Sequence, residues 1–241
     1  MKAVLSAQAL SKSFLVNGDK QLILQDASLE LYENEFLSIL GASGCGKSTF
    51  LELLAGVTKP DSGHIIHQGE EITGKGGFLG YMPQEDLLFP WLNVTENALL
   101  PAKIKKQDLK EARRRLEKLL PIFNLEAHAK HLPWQLSGGL KQRTAMLRTA
   151  MTEAPVLLLD EPFANLDAIT RRQLQLWLKS ISKELGSAII LVTHDISEAL
   201  LLSDRVLLMQ GPPGKFSSEY ILKDDADPKE IQAQILKELE L

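Results

Sequence analysis

Apolar and polar residues follow two different periods along this chain. Strands are predicted where apolar residues alternate with polar ones or form short continuous runs. These segments are LILQDASLELY, EFLSIL, GHIIHQG, FLGYM, PVLLLDE, SAIILVTH and DRVLLMQ. Apolar residues at helical spacing predict helices over residues 47–55, 107–121, 139–152, 168–186 and 196–203. Strand and helix patterns alternate in the outer parts of the chain, whereas the middle is nearly all helical.

This order of elements predicts an α/β fold in which a core built on a parallel sheet is interrupted by an inserted α-helical subdomain. We place the core at residues 1–84 and 153–215, the helical subdomain at 85–152 and a short C-terminal extension at 216–241, all within a single domain. The stretch QGPPGKFSS is rich in turn-forming residues and is interpreted as a connector. The tail from Asp227 onward predicts a short acidic amphipathic helix.

Composition excludes several classes of function. The 241 residues carry a formal net charge of −4, which argues against a surface for nucleic acid, because neutralising phosphates requires clustered Lys and Arg. The single cysteine, Cys45, excludes an internal disulfide. No segment approaches the roughly 18 uninterrupted apolar residues of a transmembrane helix. We therefore expect a soluble, cytoplasmic protein unless another chain tethers it.

A glycine-rich stretch, LGASGCGKSTFLELLAG, follows the predicted strand EFLSIL and leads into a predicted helix. It fits the pattern G-x-x-x-x-G-K-[ST] through Gly41, Gly46, Lys47 and Ser48. Glycines allow backbone N–H groups to turn toward an anion, and a helix N-terminus adds partial positive charge. A chance glycine-rich turn is the alternative, but the flanking strand and helix favour a phosphate cradle. Lys47 would then reach the terminal phosphates of a nucleotide, and the Ser48 hydroxyl would bind Mg²⁺.

Two further motifs carry chemistry. In VLLLDEP an apolar strand ends in Asp160 and Glu161, which predicts one carboxylate on the Mg²⁺ side of the phosphates and one that polarises an attacking water. Taken alone, such acids could equally mark a strand end at the surface. In LSGGLKQR, Ser137 and two glycines precede a helix and make a second anion-binding N-terminus. One nucleotide does not need two cradles from one chain, whereas two chains arranged head to tail would use both.

The motifs GASGCGKST, YMPQED, LSGGLKQR, VLLLDEP, ANLD and LVTHD occur in this order, and the set resembles the ATP-binding-cassette (ABC) ATPases over essentially the whole chain. The resemblance implies a P-loop NTPase (RecA-like) core with an N-terminal antiparallel β portion and an inserted α-helical subdomain. It also implies ATP hydrolysis with Mg²⁺, coupled to transport, in a dimer whose signature segments close over ATP held by the opposite P-loop.

The resemblance assigns roles residue by residue. Glu161, His194 and Gln84 would be catalytic, and Ser48, Gln84 and Asp160 would hold Mg²⁺. Phe14 would stack on adenine, and Asp167, in ANLD where SALD is commoner, would communicate across the dimer. The full set of nucleotide-binding residues implied is Phe14, Gly41, Ala42, Ser43, Gly44, Cys45, Gly46, Lys47, Ser48, Thr49, Ser137, Gly138, Gly139 and Asp167.

Two predictions concern single side chains. Cys45 lies at the N-terminus of the predicted helix, an environment that lowers the pKa of a thiol. We expect no catalytic role for it and interpret it as a small residue that fills space, but we also expect it to react with a maleimide when nucleotide is absent. Phe89 and Trp91 follow the YMPQED motif in a segment that contains few polar residues. The pattern is compatible with packing inside the helical subdomain. The resemblance places the groove for a membrane subunit beside this segment, so contact with that subunit is an equally weighted alternative.

The segments EDLLFPWLNVTEN, LPWQLSGG and QGPPGKF are similar to those of importer ATPases for nitrate, sulfonate, taurine and thiamine precursors. This likeness implies as partners the transmembrane permease subunits, a second copy of the chain or a paralogous ATPase and, indirectly, a solute-binding protein. It implies no nucleic acid and a peripheral position at the cytoplasmic face of the membrane. A soluble ABC-type ATPase without a permease is one alternative, and a P-loop small-molecule kinase is another that would leave LSGGLKQR and His194 without a role.

Overall fold

The structure is a computed structural model that describes residues 2–222 and 227–239. The strands are β1 (Ala3–Val16), β2 (Asp19–Tyr32), β3 (Phe36–Leu40), β4 (Ser62–His67), β5 (Glu70–Glu71), β6 (Gly80–Met82), β7 (Val156–Asp160), β8 (Ala188–Thr193), β9 (Arg205–Gln210) and β10 (Lys215–Ile221). The helices are α1 (Lys47–Ala55), α2 (Val94–Ala98), α3 (Leu100–Ile104), α4 (Leu109–Ile122), α5 (Gly138–Ala150), α6 (Ala168–Ile181), α7 (Ile196–Leu202) and α8 (Pro228–Glu238).

The strands form two sheets. A six-stranded sheet has the order β10-β9-β3-β8-β7-β6, and its pairs are parallel except the edge pair of β9 and β10. A four-stranded antiparallel sheet has the order β2-β1-β4-β5. Every residue of β3, β7 and β8 is buried, as expected for parallel strands that are covered on both faces. Their nearly continuous apolar runs are the same ones that predict strands in the sequence.

The register of the parallel strands aligns their carboxyl ends. Leu40 at the end of β3 pairs with Thr193 at the end of β8, and Asp160 at the end of β7 pairs with Val192. Met82, which ends β6, pairs with Leu159. The loops that follow these strands therefore begin side by side, at the edge where ligands bind in open α/β sheets.

Helix α1 lies between the two sheets. Its apolar side chains belong to one buried cluster with residues of β1, β2, β4 and the six-stranded sheet, and the Phe50 ring makes an edge contact with Phe216 of β10 at 5.2 Å between centroids. The helix ends at Gly56, whose φ of 71° and backbone hydrogen bonds to Glu52 and Leu53 form a left-handed cap. Its position directly after the β3 loop fixes the direction of its N-terminus.

The helical insertion packs on the other face of the large sheet. A second buried cluster joins residues of α2, α3, α4 and α5 with α6 and strands β6 and β7. Trp177 of α6 lies at this junction, because its Nε1–H donates to the Ile122 carbonyl at 2.9 Å. Its ring also contacts Phe123 at 5.2 Å between centroids and the Arg143 guanidinium at 4.9 Å. The half-buried indole thus connects two helices of the insertion with a helix of the core.

The structure differs from the sequence-based prediction in several elements. Helix α6 ends at Ile181 rather than at 186, because a turn follows that leads to Gly186 with a φ of 63°. The connector interpretation of QGPPGKFSS extends too far, since β10 begins at Lys215 and pairs with β9. Strand β1 and the short helices α2 and α3 were not among the predicted elements. Of the predicted extension 216–241, residues 223–226 and 240–241 lie outside the described residues.

Over the ranges 2–222 and 227–239, none of the helices combines the length and the apolar character that crossing a membrane would require.

Candidate nucleotide-binding site

The glycine-rich loop connects β3 to the first turn of α1. Gly44 and Gly46 have φ values of 81° and 107°, a conformation that glycine adopts without a steric penalty. Gly46 is the residue before the helix and provides no side-chain cap. The N–H groups of the first helical turn have no intrahelical acceptor, so an anion in front of the helix would meet free donors. Ala42, Ser43 and Gly44 are exposed.

Lys47 is held by the loop itself. Its Nζ donates to the Gly41 carbonyl at 2.8 Å and to the Ala42 carbonyl at 2.9 Å, and the residue is only 4% exposed. These bonds satisfy a buried ammonium that would otherwise be strongly disfavoured. They also hold the charge beside the loop, where it can exchange carbonyl oxygens for phosphate oxygens.

The prediction of a reactive Cys45 thiol with a lowered pKa is wrong. The side chain is 1% exposed and belongs to the apolar cluster that includes Met209. This burial raises the pKa of the thiol, and the nearby Lys47 ammonium offsets the effect only partly. Cys45 therefore fills space beneath the loop, and a maleimide would not reach it in the folded chain.

Ser48 and Asp160 form the most direct contact between the loop and the sheet. The Ser48 hydroxyl donates to Asp160 Oδ1 at 3.0 Å, and Asp160 is 3% exposed at the end of β7. Burial raises the pKa of Asp160 to about 6, although the hydrogen bond from Ser48 acts in the opposite direction. A hydroxyl and a desolvated carboxylate, both hard oxygen donors, fit a divalent cation such as Mg²⁺.

Glu161 and His194 meet at the ends of adjacent strands. The Glu161 amide donates to the Val192 carbonyl at 2.9 Å, and its φ of 42° is a left-handed conformation that is unusual for a residue with a side chain. This conformation turns the carboxylate toward the next loop, where His194 Nδ1 lies 3.1 Å from Glu161 Oε2. The structure thus brings together two residues that are 33 positions apart in the sequence.

Gln84 and Phe14 lie apart from these contacts. Gln84 follows β6, which pairs with β7, and its side chain is exposed. It makes no hydrogen bond to Ser48 or Asp160. Phe14 lies near the end of β1, 38% exposed, with Lys12 Nζ 5.3 Å from the centre of its ring. An exposed aromatic face of this kind could stack on a base.

The signature segment opens α5. Ser137 is exposed and caps the helix, because its Oγ accepts from the Leu140 amide at 3.4 Å. Gly139 permits close packing, since a Cβ there would lie 2.7 Å from Thr170 Cγ2 of α6. Asp167 caps α6 by accepting from the Ile169 and Thr170 amides at 3.1 and 3.0 Å, and these bonds lower its pKa.

The P-loop and the signature segment face different cavities. Ala42 and Cys45 line one of about 270 Å³, whereas Gly138 and Lys141 line another of about 410 Å³. These two cavities have no lining residue in common. The cavity that Gly138 lines thus contains no residue of the P-loop.

Residues 87–91, which we call the 87–91 segment, carry exposed apolar side chains on an anchored backbone. Leu87, Phe89 and Trp91 are 56%, 43% and 68% exposed. The buried Asn97 side chain accepts from the Phe89 amide at 2.9 Å and donates to its carbonyl at 3.2 Å. Arg148 of α5 donates to the Leu87 carbonyl at 2.7 Å. The backbone is fixed from two helices while the aromatic rings face outward, which argues against a core role for Trp91.

Gly214 has a structural role that was not predicted. A Cβ at this position would lie 2.2 Å from the Cys45 carbonyl oxygen, so only glycine lets the loop before β10 pack against the P-loop. Glycine within the GPPG sequence was the available signal, but its position against another loop depends on the tertiary fold.

Comparisons with known proteins agree with this geometry. A model of the ABC transporter family matches residues 24–164. A taurine import ATP-binding protein of Pseudomonas aeruginosa is 42% identical over 211 residues, which cover 88% of this chain and 80% of the relative. A formylaminopyrimidine import ATP-binding protein of Halalkalibacterium halodurans is 42% identical over 191 residues, which cover 79% and 74%.

Among solved structures, the ATP-binding cassette MJ0796, in a dimeric post-hydrolysis state bound to ADP and Pi, superposes with a TM-score of 0.79. It is 30% identical, and the match covers 91% of this chain and 99% of that one. The chain belongs to the ABC transporter family and is an ATP-binding ATPase of that family. The predicted fold class and the similarity to the importer group are thereby confirmed.

Proposed function

We propose that this chain is the ATP-hydrolysing subunit of an importer for a small solute. The similar relatives are described as import ATP-binding proteins for taurine and for formylaminopyrimidine, which supports a small organic solute. The solute would be selected by permease and solute-binding subunits, so we expect no residue of this chain to contact it. Its place would be the cytoplasmic face of the membrane, beneath the permease.

The observation that carries this proposal is the meeting of the P-loop, Asp160, Glu161 and His194 at one edge of the sheet. The phosphates of ATP would enter the loop, and Lys47 would exchange the Gly41 and Ala42 carbonyls for the terminal phosphates. Ser48, Asp160 and Gln84 would hold Mg²⁺, which would neutralise phosphate charge. Gln84 has to approach from its present exposed position.

Glu161 would be the general base for the attacking water. Its carboxylate is fixed by its own strained backbone and by the bond with His194 at 3.1 Å. A positioned base of this kind contributes roughly 100- to 10,000-fold to a rate. His194, whose side chain is 54% exposed, would contact the γ-phosphate from the loop after β8.

A second copy, or a paralogous ATPase, would complete the site. Ser137, Gly138 and Gly139 of that chain would meet the γ-phosphate, where the N-terminus of α5 favours negative charge. Asp167 would lie at the contact between the chains, and Phe14 would stack on the adenine. Ser137 is exposed, and the cavity that Gly138 lines contains no P-loop residue of the same chain. Both observations support this two-chain arrangement.

The 87–91 segment would be the contact with the permease. Its Phe89 and Trp91 rings lie 5.4 Å apart between centroids and form one exposed aromatic patch. Aromatic side chains on an ordered backbone are typical anchors of protein interfaces, because little conformational entropy is lost when they become buried.

Substitution of Glu161 tests the proposal. Glu161→Gln retains the shape of the side chain but cannot accept a proton, so ATP should bind and remain uncleaved. The uncleaved γ-phosphate would bridge Lys47 of one copy and Ser137 of the other. Size-exclusion chromatography should show a dimer only with ATP, and turnover should fall at least about 100-fold.

Two further variants make this test specific. Adding Ser137→Arg should abolish the ATP-dependent dimer while leaving one P-loop intact, because a bulky cation would occupy the second cradle. Glu184→Gln, at an exposed position of the core, should behave as wild type. A Glu161→Gln protein that stays monomeric at saturating ATP would contradict the two-chain site, and one with normal turnover would contradict the assignment of the base.

A further inference from the structure

Behind His194 and Glu161 lies a small cavity that the proposed mechanism does not use. Its volume is about 30 Å³, and Arg171 of α6, Thr193 at the end of β8 and Glu198 of α7 line it together with Glu161 and His194. The cavity is thus enclosed by a helix of the core, the turn that carries His194 and the helix that follows this turn.

Glu198 closes the turn that carries His194. Its Oε2 accepts from the Thr193 hydroxyl at 2.9 Å, and Thr193 Oγ1 accepts from the Asp195 amide at 3.0 Å. The Glu198 amide in turn donates to Asp195 Oδ1 at 3.2 Å. These three bonds form a closed path around His194 that begins and ends at Glu198.

The other carboxylate oxygen has no hydrogen-bond partner among the described residues. Glu198 is 5% exposed, and its Oε1 makes no hydrogen bond within the described chain. The Arg171 Nε, which lines the same cavity, is also unpartnered, although Arg171 Nη2 donates to the Leu166 carbonyl at 3.0 Å. A buried carboxylate oxygen that accepts no hydrogen bond is disfavoured, and a cavity of this size has room for a water molecule.

The buried acid is not explained by the stability of α7. Asp195 already caps this helix, and an apolar residue would fill the position of Glu198 without burying a charge. The titratable and charged residues that line this cavity with Glu198 are Arg171 from α6, Glu161 after the end of β7, and His194 and Asp195 from its own turn. Two of these four are the residues to which the proposed function gives the chemistry.

We propose that Glu198 is a positioning residue for His194, acting through the Thr193 hydroxyl, and that a water in the cavity joins Glu198 Oε1 to Arg171 Nε. The inference rests on the proposed function, because His194 matters for turnover only there. Glu198 fixes the backbone of residues 193–195, and Arg171 extends this support to the Leu166 carbonyl beside Asp167. The orientation of His194 toward Glu161 and the phosphate therefore depends on a residue that touches neither.

A comparison of Glu198→Gln with Glu198→Ala tests this role. Gln retains an oxygen that accepts from Thr193, whereas Ala removes it. We expect Glu198→Ala to lower kcat by about 10- to 100-fold, as small misplacements of catalytic groups do, with the KM for ATP changed less than about twofold. Glu198→Gln should keep kcat within about threefold of wild type. Ser197→Ala, at an exposed position of the same helix, is the matched control.

A second pair of variants examines the path itself. Thr193→Val removes the hydroxyl that donates to Glu198 and also the acceptor of the Asp195 amide, so it should lower kcat at least as much as Glu198→Ala. The double variant should lose no more than Thr193→Val alone, because the bond that Glu198→Ala removes is already absent. Arg171→Met should lower kcat in wild type but not in the Glu198→Gln background, where no charge remains to be paired.

The outcomes separate the inference from the function on which it rests. Normal kcat in Glu198→Ala, beside an inactive Glu161→Gln, would overturn the positioning role and leave the proposed function intact. Equal loss of kcat in Glu198→Gln and Glu198→Ala would also overturn it. A wild-type chain without ATP hydrolysis would overturn both.

Discussion

The P-loop and the signature segment are both glycine-containing turns that open an α-helix, but they are completed in different ways. In the P-loop, the Lys47 ammonium, the buried Cys45 and the contact with Gly214 fix the loop from within the chain. In the signature segment, Ser137 and Gly138 are exposed, and the serine side chain caps its own helix by accepting from the Leu140 amide. One of the two predicted phosphate cradles is thus completed by its own chain, whereas the other is open to a second chain.

The largest effect should come from breaking the internally completed loop. Lys47→Ala removes the charge that would meet the terminal phosphates and leaves the Gly41 and Ala42 carbonyls without their donor. We expect ATP turnover to fall at least about 100-fold. Steady-state hydrolysis measures this, with Lys183→Ala at an exposed position as the control. Turnover close to wild type would show that the phosphates bind elsewhere.

The outward-facing side of the molecule can be examined at the 87–91 segment. Trp91→Ala should leave ATP binding and thermal stability unchanged, because the ring is 68% exposed. Assembly with the permease should weaken by about 2 kcal/mol, roughly thirtyfold, as for other aromatic anchors. Co-purification and titration with the permease in detergent measure this, and Ile104→Ala, which is 77% exposed, is the control. A large drop in melting temperature would instead place Trp91 in the core.

Gly214→Ala should disturb the packing beneath the P-loop without changing a residue of the loop itself. The added Cβ would lie 2.2 Å from the Cys45 carbonyl, and relieving such overpacking costs about 1–3 kcal/mol. We expect ATP affinity to fall about tenfold, measured with a fluorescent nucleotide. Gly76→Ala is a matched control, because its Cβ would meet nothing closer than 3.7 Å. Equal affinities of the two variants would show that this contact does not shape the loop.

The smallest effect is a pH dependence of stability. Burial raises the pKa of Glu198 to about 7, although the bond from Thr193 acts in the opposite direction. In the unfolded chain this carboxyl ionises near about pH 4. The folded state holds the proton more tightly, so the free energy of unfolding has its full contribution from Glu198 below about pH 4 and loses it as the pH rises to about 7. The loss amounts to roughly 3 kcal/mol at most.

Glu198→Gln does not titrate and should therefore gain melting temperature relative to wild type between about pH 4 and 7, by a few degrees. Thermal denaturation of both proteins across this range measures the difference. A constant difference across the range would contradict the raised pKa.

The sequence pattern predicted those helices and strands whose boundaries depend on neighbouring residues in the chain. The boundaries of α1 agree with the predicted 47–55, since the glycines before and after it mark both ends. Strands β3, β7 and β8 were recognised because burial on both faces requires continuous apolar runs. Strand β10 was missed, since KFSSEYI is half polar and its place depends on pairing with β9.

The candidate site shows the same division. The residues of the P-loop and of the VLLLDEP motif are contiguous, so spacing alone pointed to them. The burial of Cys45 depends on Met209, and that of Glu198 depends on how α6 packs beside α7. Neither contact has a signature in the sequence, and for Cys45 the helix N-terminus suggested the opposite direction of the pKa.

The position of Trp177 gives the chain an optical reporter of its own. The sequence has three tryptophans, of which Trp91 and Trp134 are 68% and 65% exposed and should emit as solvated indoles. Trp177 is half-buried, and its indole is bonded to Ile122 and lies under Arg143. Any turning of the helical insertion against the core would change these contacts, and the intrinsic fluorescence of the unlabelled protein would record it.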